Sequence, residues 1–110
     1  MKTVNSFESR DFRESAVVRS ATVGSSVVAI ADFGFTADEL QNVQSCTISA
    51  HSAGVNFLTT GNDPTTTLGI PLASGQTAVV SGNTDINRLK FIAQSADAQV
   101  TIVFEWDLVP

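Results

Sequence analysis

A chain of 110 residues has room for one domain, and 43% hydrophobic against 15% charged residues excludes a disordered polymer. A formal net charge of −5 argues against nucleic acid, which wants a dense basic face to displace its counterions. No apolar run approaches the roughly 18–20 residues of a membrane span, and a lone cysteine, Cys46, allows neither an internal disulfide nor a cysteine metal cluster.

The first 20 residues mix both signs, with four cations against three acids, and have few apolar side chains. They read as an N-terminal arm or tail preceding a domain over 21–110. The plain reading is a solvated tail. The other is an arm that orders on a partner, with Phe7 and Phe12 as anchors and Arg10 and Arg13 beside them. The segment has no apolar h-region of a secretory signal, so synthesis in a cytoplasm is expected.

Val, Ile, Thr and Phe are frequent, and Gly, Asn and Asp gather between the apolar runs, which predicts an all-β chain. A first short strand is expected over 16–20, centred on Val17-Val18, then a break at Gly24-Ser25-Ser26 and a second strand over 27–33. Thr36 and Glu39 are spaced as a capping box for one helical turn over 36–40. Cys46, Ile48 and Ala50 alternate with Thr47, Ser49 and His51, the period of a half-buried strand. Ser52-Ala53-Gly54 then turns the chain, and 55–59 is expected as the hairpin partner. Residues 61–75 read as a long connection in which Pro64 and Pro71 exclude a central strand.

A short strand is expected over 76–81 and another over 86–94, which would put Leu89, Phe91 and Ala93 on one face and Arg88, Lys90 and Ile92 on the other. The clearest strand is 99–107, where Val100, Ile102, Phe104 and Trp106 alternate with Thr101, Val103, Glu105 and Asp107. About seven short strands with a face this apolar predict a two-sheet β-sandwich, jelly-roll-like, because one sheet alone cannot cover such a face.

The chemistry-bearing residues are sparse. His51, the one histidine, sits among polar-face positions, and Ser49 and Ser52 lie in no nucleophile motif. Zinc spacing and a calcium loop are absent, and Asn62-Asp63-Pro64 reads as turn chemistry. Sugar platforms are usually exposed aromatics, but there is no Tyr, and Trp106 falls on the core phase of its strand. No enzyme, metal or cofactor is therefore expected. Arg88 and Lys90 are the only cations after residue 20, against eight acids there. They serve either as edge protection or as a basic spot that docks an acidic partner.

From about residue 36 to 105 the chain resembles a group of small virion proteins of tailed phages. The residues that carry the likeness are Thr36-Ala37-Asp38-Glu39-Leu40, Cys46-Thr47-Ile48-Ser49, Val55-Asn56-Phe57 and the loop Gly61-Asn62-Asp63-Pro64-Thr65. Gly69, Pro71 and Leu72, then Gly75, Val80-Ser81-Gly82 and 86–92 follow in order, and Ala98 precedes 100–105. The resemblance implies a head decoration or cement protein that binds the outer head surface and stabilises it by protein–protein contacts. Its partner would be the major capsid protein. The chain would be a homo-oligomer, a trimer favoured, located in the virion and made in the bacterial host cytoplasm, with no nucleic acid or membrane bound. The candidate interface is then Phe7, Arg10, Phe12 and Arg13 of the arm, Asp63, Pro64 and Thr65 of the loop, and Arg88 and Lys90. The alternative is a receptor- or glycan-binding module of a phage fibre or tail tip.

Overall fold

The computed structural model describes residues 13–107, with side chains over 16–106. Phe7, Arg10 and Phe12 lie outside the described residues, as does the Arg13 side chain. Eight strands form two antiparallel four-stranded sheets, so the expected all-β sandwich is what the chain forms. Two short α-helices and one 3-10 turn connect them.

The first sheet has the order β1-β8-β3-β6 and the second β2-β7-β4-β5. Strand β1 is Arg13–Val23, β2 Val28–Ala29, β3 Ser45–His51 and β4 Val55–Leu58. Strand β5 is Ile70–Leu72, β6 Thr77–Ser81, β7 Lys90–Ala93 and β8 Ala98–Asp107. Helix α1 is Ala37–Asn42 and α2 Asn83–Asn87. Of the connections, β4–β5 alone stays within one sheet; all others cross between them.

The core lies between the two inner faces. From the first sheet come Cys46, Ile48, Ala50, Val100, Ile102 and Phe104, and from the second Val55, Phe57, Leu72, Phe91 and Ala93. Connecting segments close the ends: Phe35 stacks on Phe104 with ring centroids 3.7 Å apart, and Phe33 meets Phe91 at 5.5 Å. In β8, three consecutive inward positions, Val100, Ile102 and Phe104, are wholly buried, as their alternation predicts. Trp106, next in that phase, is half-buried and packs against the margin of the cluster.

Strand β1 is longer than the stretch expected over 16–20. It pairs with β8 from Arg13↔Asp107 to Val23↔Ala98, with one irregularity between Arg13 and Ser15. Residues 13–20 are thus sheet backbone, and the division expected at 20/21 falls inside this strand. The inward phase is Val17, Arg19, Ala21 and Val23, and the arginine in it hid the pattern. Its guanidinium lies 5.8 Å from the Phe35 ring centroid and 3.6 Å from the Glu39 carboxylate, at the rim of the inner face.

Three further expectations are corrected. Residues 27–33 are not one strand: after Val28–Ala29 the chain enters a 3-10 turn, Ile30–Phe33. The Asp32 carboxylate accepts the Ala29 N–H at 3.0 Å, offering the backbone a local bond in place of the ladder. Ile30 and Phe33 are both buried, the three-residue spacing of such a turn.

Residues 45–51 and 55–58 do not form a hairpin; β3 pairs with β6 and β8, and β4 with β5 and β7. Ser52, with φ 75°, turns the chain toward the other sheet. Val55, Asn56 and Phe57 are buried in succession, a strand covered on both faces.

The strand expected over 86–94 begins only at Lys90. Ile86 and Leu89, both at 0% exposure, reach the core at three-residue spacing because Asn83–Asn87 is helical. That helix is tied to α1. Asn83 Nδ2 donates to the carbonyls of Leu40 (3.0 Å), Gln41 (3.1 Å) and Val43 (2.9 Å). Asn87 Nδ2 also donates to the Leu40 carbonyl at 2.9 Å. Carbonyls left open at the C-terminus of α1 are satisfied in this way. Its N-terminus has the expected box: Glu39 N–H donates to Thr36 Oγ1 at 3.1 Å, and Thr36 N–H to Glu39 Oε1 at 2.9 Å.

Candidate functional site

The two outer faces of the sandwich differ in kind. On the second sheet, outward positions include Asn56 and Leu58 of β4 and Lys90 and Ile92 of β7, paired as Asn56↔Ile92 and Leu58↔Lys90. The 59–69 connection folds back over them. Asn56 is 6% exposed and Ile92 9%, and Pro64 is fully buried.

Polar contacts fasten this cover. Asn56 Nδ2 donates to the Thr65 carbonyl at 2.9 Å, and Gln94 Nε2 donates to Asn56 Oδ1 at 3.0 Å. Gln94 Nε2 also reaches the Val55 carbonyl at 3.3 Å. Thr65 Oγ1 accepts the N–H of Leu68 at 2.9 Å and of Thr67 at 3.2 Å, which tightens the loop tip. Gly69, with φ +143°, brings the chain back beside β4; a Cβ there would stand 3.0 Å from Asn56 Cβ and 3.3 Å from the Phe57 amide.

This is where the structure places the sequence candidates of the body. Lys90 Nζ pairs with Asp63 Oδ1 at 3.0 Å. The Arg88 stem lies near Gly61. Asp63, Pro64, Thr65, Arg88 and Lys90 are therefore brought together. Four of them hold the loop down: Pro64 by burial, Thr65 through its carbonyl and hydroxyl, and Lys90 and Asp63 through their ion pair. Arg88 is exposed at the C-cap of α2, while Lys90 opens β7, so the two do not share an outward strand face.

The outer face of the first sheet has no such cover among the described residues. The pairing sets its rows: Ala16-Glu105-Ser45-Ser81, Val18-Val103-Thr47-Val79, Ser20-Thr101-Ser49-Thr77, and Thr22-Gln99-His51. Val18 is 55% exposed and Val79 69%. Glu105 is the sole carboxylate at these outward positions, and His51 stands exposed at one end. Sequence reasoning set Thr47, Ser49 and His51, and Thr101, Val103 and Glu105, opposite apolar faces and assigned no face to the residues of β1 and β6. The missed signal is that the outward residues in these rows are mostly Ser, Thr, Val or Ala, with one Glu and no Lys, the residues that normally keep a sheet surface wet and unpartnered.

Cys46 has 1% exposure near the start of β3. Burial pushes its thiol up from the ordinary 9.0 to about 12, against a smaller opposing effect of the Val80 backbone hydrogen bond. A thiol pushed up in the folded state leaves stability whole below the ordinary value. Stability then falls as pH rises from 9.0 toward 12, by at most about 1.4 kcal/mol per pH unit. The expected result is that Cys46 resists a thiol reagent until the chain unfolds, and that Cys46→Ala flattens the alkaline loss seen in denaturation curves.

Among the described residues no three His, Cys, Asp or Glu side chains stand together as a metal-holding group, and no helix is long and apolar enough to cross a membrane. Comparison with protein-family models, with curated proteins and with solved structures finds no match.

Proposed function

We propose that the chain is a structural protein of a tailed-phage virion, a decoration protein that docks on the outside of the head and stabilises it by protein–protein contacts. The observation that carries this reading is the strand order. Eight strands arranged 1-8-3-6 and 2-7-4-5 over two sheets support a jelly roll, the architecture that capsid and lectin domains share. Fold by itself does not assign function; the head-protein resemblance over 36–105 selects the capsid side of that pair. The open face of the first sheet adds support, because docking on a large partner needs a rigid, weakly charged surface rather than a cleft. Many copies on a repeating lattice bind with avidity even when each contact is weak.

The major capsid protein is the partner in this reading. Purified virions of a phage that encodes the chain should contain it in many copies per head, and heads stripped of it should rupture at lower temperature. Its absence from virions, or a few copies confined to the tail tip, would turn the assignment toward a receptor- or glycan-binding module.

A further inference from the structure

Two sheets have four edges, and three of them are much shorter than the fourth. Strand β2 is two residues long, β5 is three residues with Pro71 at its centre, and β6 is five residues. Short strands and proline are the ordinary means of preventing a sheet edge from recruiting another chain. Strand β1 differs. It is 11 residues long, has no proline or glycine, and among the described residues has a strand on one side only.

Among the described residues, one side-chain contact lies on its outer edge. Arg19 Nη1 donates to the exposed Val18 carbonyl at 3.0 Å, which marks that carbonyl as turned away from β8. The same guanidinium is drawn inward by Glu39 and Phe35, so its charge is largely answered within the chain. The outward side chain at this point, Val18, is apolar and 55% exposed.

We infer that β1 pairs antiparallel with β1 of a second copy of this chain, about a two-fold axis at Val18, joining two first sheets into one continuous sheet. This pairing is independent of the capsid reading.

The chemistry favours the copy as occupant. About this axis Val18 lies opposite Val18 of the partner subunit, and its outward N–H and carbonyl exchange bonds with the same groups there. Ala16 lies opposite Ser20 of the partner subunit, so the neighbouring pairs are small and uncharged. Arg19 lies opposite Val17 of the partner subunit; an axis one residue on would set the two Arg19 side chains against each other, which like charge disfavours. The partner's N–H takes the place of Arg19 Nη1 on the Val18 carbonyl. A two-fold contact of this kind uses the same edge on both copies and closes at two, not at the trimer that the resemblance implies.

The test is sedimentation of the full chain beside two lysine variants. The native chain should be a dimer at micromolar concentration. Val18→Lys sets like charges opposite each other and should raise the dissociation constant on the order of a hundredfold, with its circular dichroism unchanged. Val79→Lys, on the far edge of the same face, should remain dimeric. Oxidation should cross-link Val18→Cys to itself but not Thr22→Cys, which the register separates. A monomeric native chain, a trimer, or cross-linking of Thr22→Cys in place of Val18→Cys would overturn the pairing.

Discussion

Phe104→Ala is expected to lower the unfolding free energy by about 3–5 kcal/mol, read from urea denaturation. Phe104 is wholly buried in the central region of β8 and stacks on Phe35 at 3.7 Å. Truncation removes the transfer energy of the ring and opens a cavity that flanking strands β1 and β3 cannot collapse into without breaking their ladders. Against a total of about 5–15 kcal/mol for a domain this size, that is a large share. Val103→Ala, one residue away on the outer face, should cost under about 1 kcal/mol. Equal losses at the two positions would contradict the inward and outward assignment of β8.

Asn56→Leu is expected to cost about 1–3 kcal/mol despite its similar volume. The substitution removes the Asn56 bonds to the Thr65 carbonyl and the Gln94 amide, and each keeps only a longer one, Thr65 from the Leu68 N–H and Gln94 to the Val55 carbonyl, both at 3.3 Å. Losing a net hydrogen bond of this kind costs about 0.5–1.5 kcal/mol, and two are lost. Proteolysis within 59–69 should rise, since the loop loses the hydrogen bond that holds it against β4. Gln94→Ala should be partly non-additive with Asn56→Leu, with a coupling of roughly 1 kcal/mol in a double-mutant cycle. Full additivity would mean that the two amides act separately.

The elements legible in the sequence are those in which one cause dominates. Strands β3 and β8 alternate because one face is buried and the other wet. The capping box of α1 is visible because Thr36 and Glu39 satisfy each other locally. What escaped was set by distant contacts. Ile86 and Leu89 look like members of a strand until helix α2 is seen to be fixed by Asn83 and Asn87 on the carbonyls of α1, some 40 residues earlier. Strand β4 lacks alternation because the 59–69 loop covers Asn56 on its outer face. For the site, charged and turn-forming residues drew attention to Asp63, Pro64, Thr65, Arg88 and Lys90. The structure uses them largely to secure a loop, while the open face is made of residues that carry no individual signal.

The central place of β8, between β1 and β3 in the first sheet, also bears on how the chain is made. Neither neighbour has its full ladder until residues 98–107 have left the ribosome. The sheet therefore assembles around its last-synthesised strand, after a period in which the inner sides of β1 and β3 are unprotected. Pairing so remote in sequence predicts folding on the slow side for a small domain, in milliseconds to seconds. A chaperone that shields apolar strands during that interval should raise the yield of folded chain.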